Sequence, residues 1–83
     1  MKANELTKVL ELVNGFNYDH KDLDAKEITF EICSFDRDEF SINVYYDIFF
    51  STDLAIFLNY LDSINALFYL SKSGVKGPYM HIQ

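Results

Sequence analysis

Apolar residues recur with a helical period at the start of the chain. Leu6, Val9, Leu10 and Val13 fall three and four residues apart, which predicts an amphipathic helix over 3–14. Asn4 is a candidate cap, Glu5 suits the first turn, and Gly15 is a plausible stop. Residues 17–26 follow neither period and read as a polar connection. The period then changes to two. Ile28, Phe30 and Ile32 alternate with Glu27, Thr29 and Glu31, predicting a strand over 27–34. Phe40, Ile42, Val44, Tyr46, Ile48 and Phe50 alternate in the same way, predicting a second strand over 40–50. Asp36, Arg37, Asp38 and Glu39 form the turn of a hairpin. Cross-strand partners share a face, so Ile32 must oppose an even-numbered residue. That favours an odd-length loop or a bulge, with Ser34 opposite Phe40.

The helical period returns after Ser51, Thr52 and Asp53, a start signal with a hydroxyl and an early acid. Leu54, Phe57, Leu58, Leu61, Ile64 and Phe68 make one stripe, which predicts a single long helix to about Lys72, stopped at Gly74. Asn65 and Ala66 mark the alternative, a break. The tail from Val75 to Gln83 is a short third strand on the hairpin edge or a packed extension. The expected fold is therefore α+β: one small domain over residues 1–83, α-β-β-α with a possible short C-terminal strand. Both helices are expected to cover one face of the antiparallel hairpin.

Composition narrows the setting. A chain of 83 residues supports one domain, and its 49% hydrophobic content, with 8 Phe and 6 Tyr, supplies a rich core for that size. With Cys33 as the single cysteine no internal disulfide forms, the N-terminus shows no secretory leader, and polar residues interrupt the Leu54–Leu70 stretch. These features predict a cytoplasmic protein (host cytosol if phage-encoded) that does not enter a membrane. Thirteen acids against seven bases give a net charge of −6. That charge disfavours direct binding to nucleic acid or anionic lipid and favours a basic protein partner.

Catalytic chemistry finds little support. The two histidines, His20 and His81, are far apart, and Cys33 lies between acidic and apolar neighbours that oppose a reactive thiolate. Asn17, Asp19, Asp22 and Asp24 gather oxygens near His20, but the spacing departs from a calcium loop and lacks its glycine. No zinc motif or glycine-rich phosphate loop is present. Acid pairs such as Asp36 with Asp38, or Glu27 with Glu31, sit where water keeps both ionised. The expectation is a protein that is not an enzyme and needs neither cofactor nor metal.

What remains is surface. Residues 17–39 hold eight acids, Asp19, Asp22, Asp24, Glu27, Glu31, Asp36, Asp38 and Glu39, against Lys21, Lys26 and Arg37. Glu27 and Glu31 are expected to share the outer sheet face with Tyr45 and Asp47, as a regular carboxylate array suited to a cationic groove. The competing reading is a solvated face that confers solubility. A second surface is Ile56, Tyr60 and Leu67, a stripe offset from the main face of the long helix, suited to a homodimer or other protein contact. Tyr18, Tyr45 and Tyr79 also fit a binding surface.

No motif identifies a family. In general type, through the shortness of the chain, the acidic segment Asp19–Glu39 and an α/β scaffold without catalytic groups, it resembles the small acidic proteins that phages and mobile elements use against host defence nucleases, anti-CRISPR inhibitors included. The resemblance implies a stoichiometric, nucleic-acid-mimicking antagonist of a basic, nucleic-acid-handling protein. Asp22, Asp24, Glu27, Glu31, Asp36, Asp38, Glu39, Tyr45 and Asp47 would form the contact. The alternatives are a self-associating adaptor that uses Ile56, Tyr60 and Leu67, and an immunity or antitoxin protein.

Overall fold

The computed structural model of the chain describes residues 1–22, 27–34, 37–45 and 49–83. The element order is α1 (Ala3–Asp19), β1 (Phe30–Ser34), β2 (Phe40–Tyr45), α2 (Ser51–Ser63), β3 (Phe68–Gly74) and β4 (Gly77–Ile82). The four strands form one antiparallel sheet in the order β1-β2-β4-β3. The fold is α+β as expected, but with α-β-β-α-β-β order and a four-stranded sheet in place of a covered hairpin.

Helix α1 begins two residues earlier than an Asn4 cap implies. The Glu5 carboxylate accepts the backbone N–H of Lys2 at 2.8 Å, and Lys2 itself is the capping residue. Gly15 does not end the helix, which continues to Asp19. A helical glycine costs about 1 kcal/mol relative to alanine, and tertiary contacts beyond it offset that cost. Phe16 is buried, and the Asn17 amide holds both backbone groups of Ile28, accepting its N–H at 2.7 Å and donating to its carbonyl at 3.0 Å. The same contact shortens the first strand, because the Ile28 backbone is bonded to a helix side chain; β1 starts at Phe30 rather than at Glu27.

The hairpin register is the expected one. Ser34 opposes Phe40 and Ile32 opposes Ile42, with five residues, 35–39, between the strands. β2 ends at Tyr45, short of the expected residue 50; Phe49 and Phe50 lie outside any strand, and residues 46–48 are outside the described residues.

The long helix is corrected most. α2 starts at Ser51 but is capped by the Phe50 backbone, without a side-chain hydroxyl, and it stops at Ser63. Asn65 takes a left-handed conformation, φ 54°, which asparagine tolerates better than most residues. The N–H of Ala66 donates to Leu61 O (3.0 Å) and that of Asn65 to Asp62 O (3.1 Å), the paired bonds that close a helix end around an αL residue. Beyond it Phe68–Gly74 is a strand, paired to β4 around the turn Val75-Lys76. Gly77, at φ 113°, adopts backbone closed to other residues, and a Cβ on Gly74 would stand 2.5 Å from Gly77 O. The tail is thus an inner strand, with β2 on one side and β3 on the other.

The core lies under the middle of the sheet. Leu6, Val9, Val13 and Phe16 of α1 and Phe57 and Leu61 of α2 cover Ile42, Val44, Met80 and Ile82. Phe49 meets Phe16 edge to face at a ring separation of 5.9 Å and Phe57 in a tilted arrangement at 5.4 Å. Truncating a wholly buried ring such as Phe57 to alanine costs about 3–5 kcal/mol. The flanking strands are left less covered: Ile32 on β1 and Phe68 and Leu70 on β3 point to the helix side yet remain 49%, 43% and 57% exposed. Among the described residues no helix is long and apolar enough to cross a membrane.

Gly15 sits in helical backbone with no atom within 4 Å of an added Cβ. Gly15→Ala should therefore stabilise the domain by about 0.5–1 kcal/mol, read as a rise of a few degrees in thermal midpoint. Gly77→Ala, which forces an L side chain into positive φ, should lower the midpoint in the same assay.

Candidate protein-binding surface

With both helices on one side, alternation sends the odd-numbered strand residues to the open side. Cross-strand pairing lines up Glu31, Asn43, His81 and Tyr69 in one row, and Tyr45, Tyr79 and Ser71 in the next. The His81 ring lies 5.2 Å from that of Tyr69, and its Nδ1–H donates to Asn43 Oδ1 at 2.6 Å. The β3–β4 turn curls back over this face. Lys76 Nζ meets Glu31 Oε1 at 2.7 Å and stands 5.9 Å from the Tyr45 ring centre, and Tyr79 packs on Tyr45 at 5.9 Å. Tyr45, facing outwards, is buried by these neighbours. The result is an open groove of about 400 Å³ walled by Glu31, Asn43, Tyr45, Lys76 and Tyr79. The hydrogen bond and charge of Glu31 raise the Lys76 pKa.

Of the expected acidic array, Glu31 and Tyr45 share the outer face as read from the alternation. Glu27 is exposed just before β1. Asp22 is exposed at the end of the α1 turn, and Asp38 is exposed beside the hairpin tip. Asp24, Asp36 and Asp47 lie outside the described residues. Two members already have partners: Glu31 is paired with Lys76, and Glu39 binds Lys2 Nζ at 2.6 Å and the Met1 amine at 3.3 Å. Glu39 thereby pins the start of α1 to the start of β2, where Met1 and Phe40 also exchange backbone bonds of 2.8 Å.

The apolar stripe is dispersed. Ile56 is half exposed on α2, but Tyr60 packs against the core, with burial first and the charges of Glu5 and Glu11 next raising its hydroxyl pKa. Leu67 is off the helix altogether, 73% exposed in the approach to β3.

His20 has a defined place that periodicity could not show. It caps α1, stacks on Phe50 at 4.1 Å, and its Nε2 meets Asp53 Oδ2 at 2.7 Å, tying the end of one helix to the first turn of the other. Cys33 is a free thiol on the outer face, two strands and two residues from His81, on the order of 12 Å by sheet spacing. Among the described residues no three His, Cys, Asp or Glu side chains gather as a metal site.

One signal was legible in the sequence and overlooked. All thirteen acids lie in residues 1–62 with five of the bases, a net −8, whereas residues 63–83 hold Lys72 and Lys76 and no acid, a net +2. The topology turns this split into two flanks, because β1 and β3 are the opposite edges of the sheet. No known protein family, curated protein or solved structure matches the chain.

Lys2 first, and the N-terminal ammonium next, hold the Glu39 carboxyl below its ordinary value of 4.5. A carboxyl whose pKa is lowered on folding contributes stability above its unfolded value and loses it as pH falls through the folded value. Urea midpoints taken from about pH 6 to pH 3 should therefore fall less steeply for Glu39→Gln than for the parent chain. Glu39→Gln should also be the less stable protein at neutral pH.

Proposed function

We propose that the chain is a non-enzymatic protein-binding domain that antagonises a basic, nucleic-acid-handling protein, in the manner of the phage anti-defence inhibitors it resembles in type. The observation that supports this reading is the segregation of charge: every Asp and Glu belongs to residues 1–62, and the flank that precedes and borders β1 displays Asp19, Asp22 and Glu27 to solvent. Glu31 and Glu39 are engaged internally, so the contact charge falls to Asp22, Glu27 and Asp38, with Asp24, Asp36 and Asp47 of the same segments. Glu27 and Asp38 bracket the five residues of β1, a span of roughly 17 Å for the strand itself, comparable to a few phosphates along a nucleic-acid backbone. Carboxylates at such spacing fit a groove built for phosphates, and attraction of this kind weakens with salt.

The test is capture from bacterial lysate with the tagged chain at about 0.05 M and 0.5 M salt. A nucleic-acid-binding protein should be retained at low salt, released at high salt and displaced by competing nucleic acid. The combined reversal Asp22→Lys, Glu27→Lys and Asp38→Lys should cut retention at least tenfold with the thermal midpoint little changed. Retention that survives the reversal would rule out the acidic flank as the contact.

A further inference from the structure

We infer that the open edge of β3 pairs with β3 of a second copy of the chain, joining two four-stranded sheets into one across a two-fold axis. Among the described residues β3 has a strand on one side only, so its other edge is open. Gln83 N–H donates to Leu67 O at 2.8 Å, which puts the odd-numbered backbone groups of β3 on the β4 side. By alternation the N–H and C=O of Phe68 and Leu70 face outwards. Two antiparallel copies satisfy all of these groups when Phe68 opposes Leu70 of the partner subunit and Tyr69 opposes Tyr69 of the partner subunit. Partners across that seam share a face, so the two Phe–Leu pairs continue the helix-side surface and the tyrosines continue the outer one.

The size and charge of this edge suit a second copy. Leu67, Phe68, Tyr69 and Leu70 are 73%, 43%, 54% and 57% exposed. They offer on the order of 400 Å² of side chain, about half of what each partner gives to a standard interface, which suits a weak, concentration-dependent dimer. Self-association of a chain carrying −6 is opposed wherever acids meet acids, as Glu27 and Glu31 would if two β1 edges paired. Residues 63–83, which include β3, hold no Asp or Glu, so antiparallel β3 strands set no acidic side chain of either strand against another. The inference is independent of the acidic-flank reading, because it leaves that flank facing outwards on both copies.

Sedimentation equilibrium of the full chain, from roughly 1 µM to 1 mM, should show the mass rising toward twice 9.7 kDa. The association should hold at high salt. Leu70→Lys should raise the dimer dissociation constant at least tenfold, and Ile56→Lys should leave it unchanged. In the parent chain, the Phe68 and Leu70 amides should gain hydrogen-exchange protection with concentration, a readout that stands even if Leu70→Lys folds poorly. A monomer at all concentrations, a dimer that Ile56→Lys rather than Leu70→Lys dissociates, or amide exchange at Phe68 and Leu70 that ignores concentration would overturn the inference.

Discussion

The pairing of β2 with β4 is the contact on which the rest of the molecule depends. It joins Ile42 to Ile82 and Val44 to Met80 across some forty residues of chain, and all four side chains are essentially inaccessible to water. Without it, β1 and β2 would be an isolated hairpin, marginal in water, and β3 would have nothing to attach to except its own turn partner. The helices depend on it as well: Val9, Val13, Phe57 and Leu61 are buried because a four-residue apolar floor lies beneath them.

That single constraint also decides what is left for function. Two helices are wide enough to cover the two inner strands but not the edges, so Ile32 on one side and Phe68 and Leu70 on the other stay accessible. The edges then differ in charge. Acids surround β1, while β3 belongs to a segment with two lysines and no carboxylate. The proposed acidic contact and the proposed β3 seam are compatible on one scaffold, because β2 and β4 lie between the two edges.

Much of this was legible in the sequence, for identifiable reasons. The existence of the first helix follows from strict periodicity, and parity restricted the hairpin to registers that include the observed Ser34–Phe40 pair. The error in the second half arose where the two periods coincide. Ile64 and Phe68 satisfy a helical i, i+4 spacing, whereas Phe68 and Leu70 equally satisfy strand alternation. What separates them is the left-handed Asn65, whose cap with Ala66 and Leu61 ends the helix. Gly15 misled in the opposite direction, because the Asn17–Ile28 bonds that carry α1 past it join residues from different elements. Among the surface residues, exposure of Glu27 and the placement of Glu31 and Tyr45 followed from alternation. The partners of Glu31 and Glu39 did not, since Lys76 and Lys2 lie far along the chain and reach them only through the folded topology.

Residue-resolved amide hydrogen exchange on the native chain tests the central role of β4 most directly. If the last strand is an inner strand on which the core rests, the inward-bonded amides of β4 should exchange only through global unfolding, as slowly as those of β2 and of the α1 interior. Fast exchange of residues 77–82, with protection kept in α1, β1 and β2, would contradict it. The tail would then be an accessory extension, and the core would be supported by the first hairpin alone.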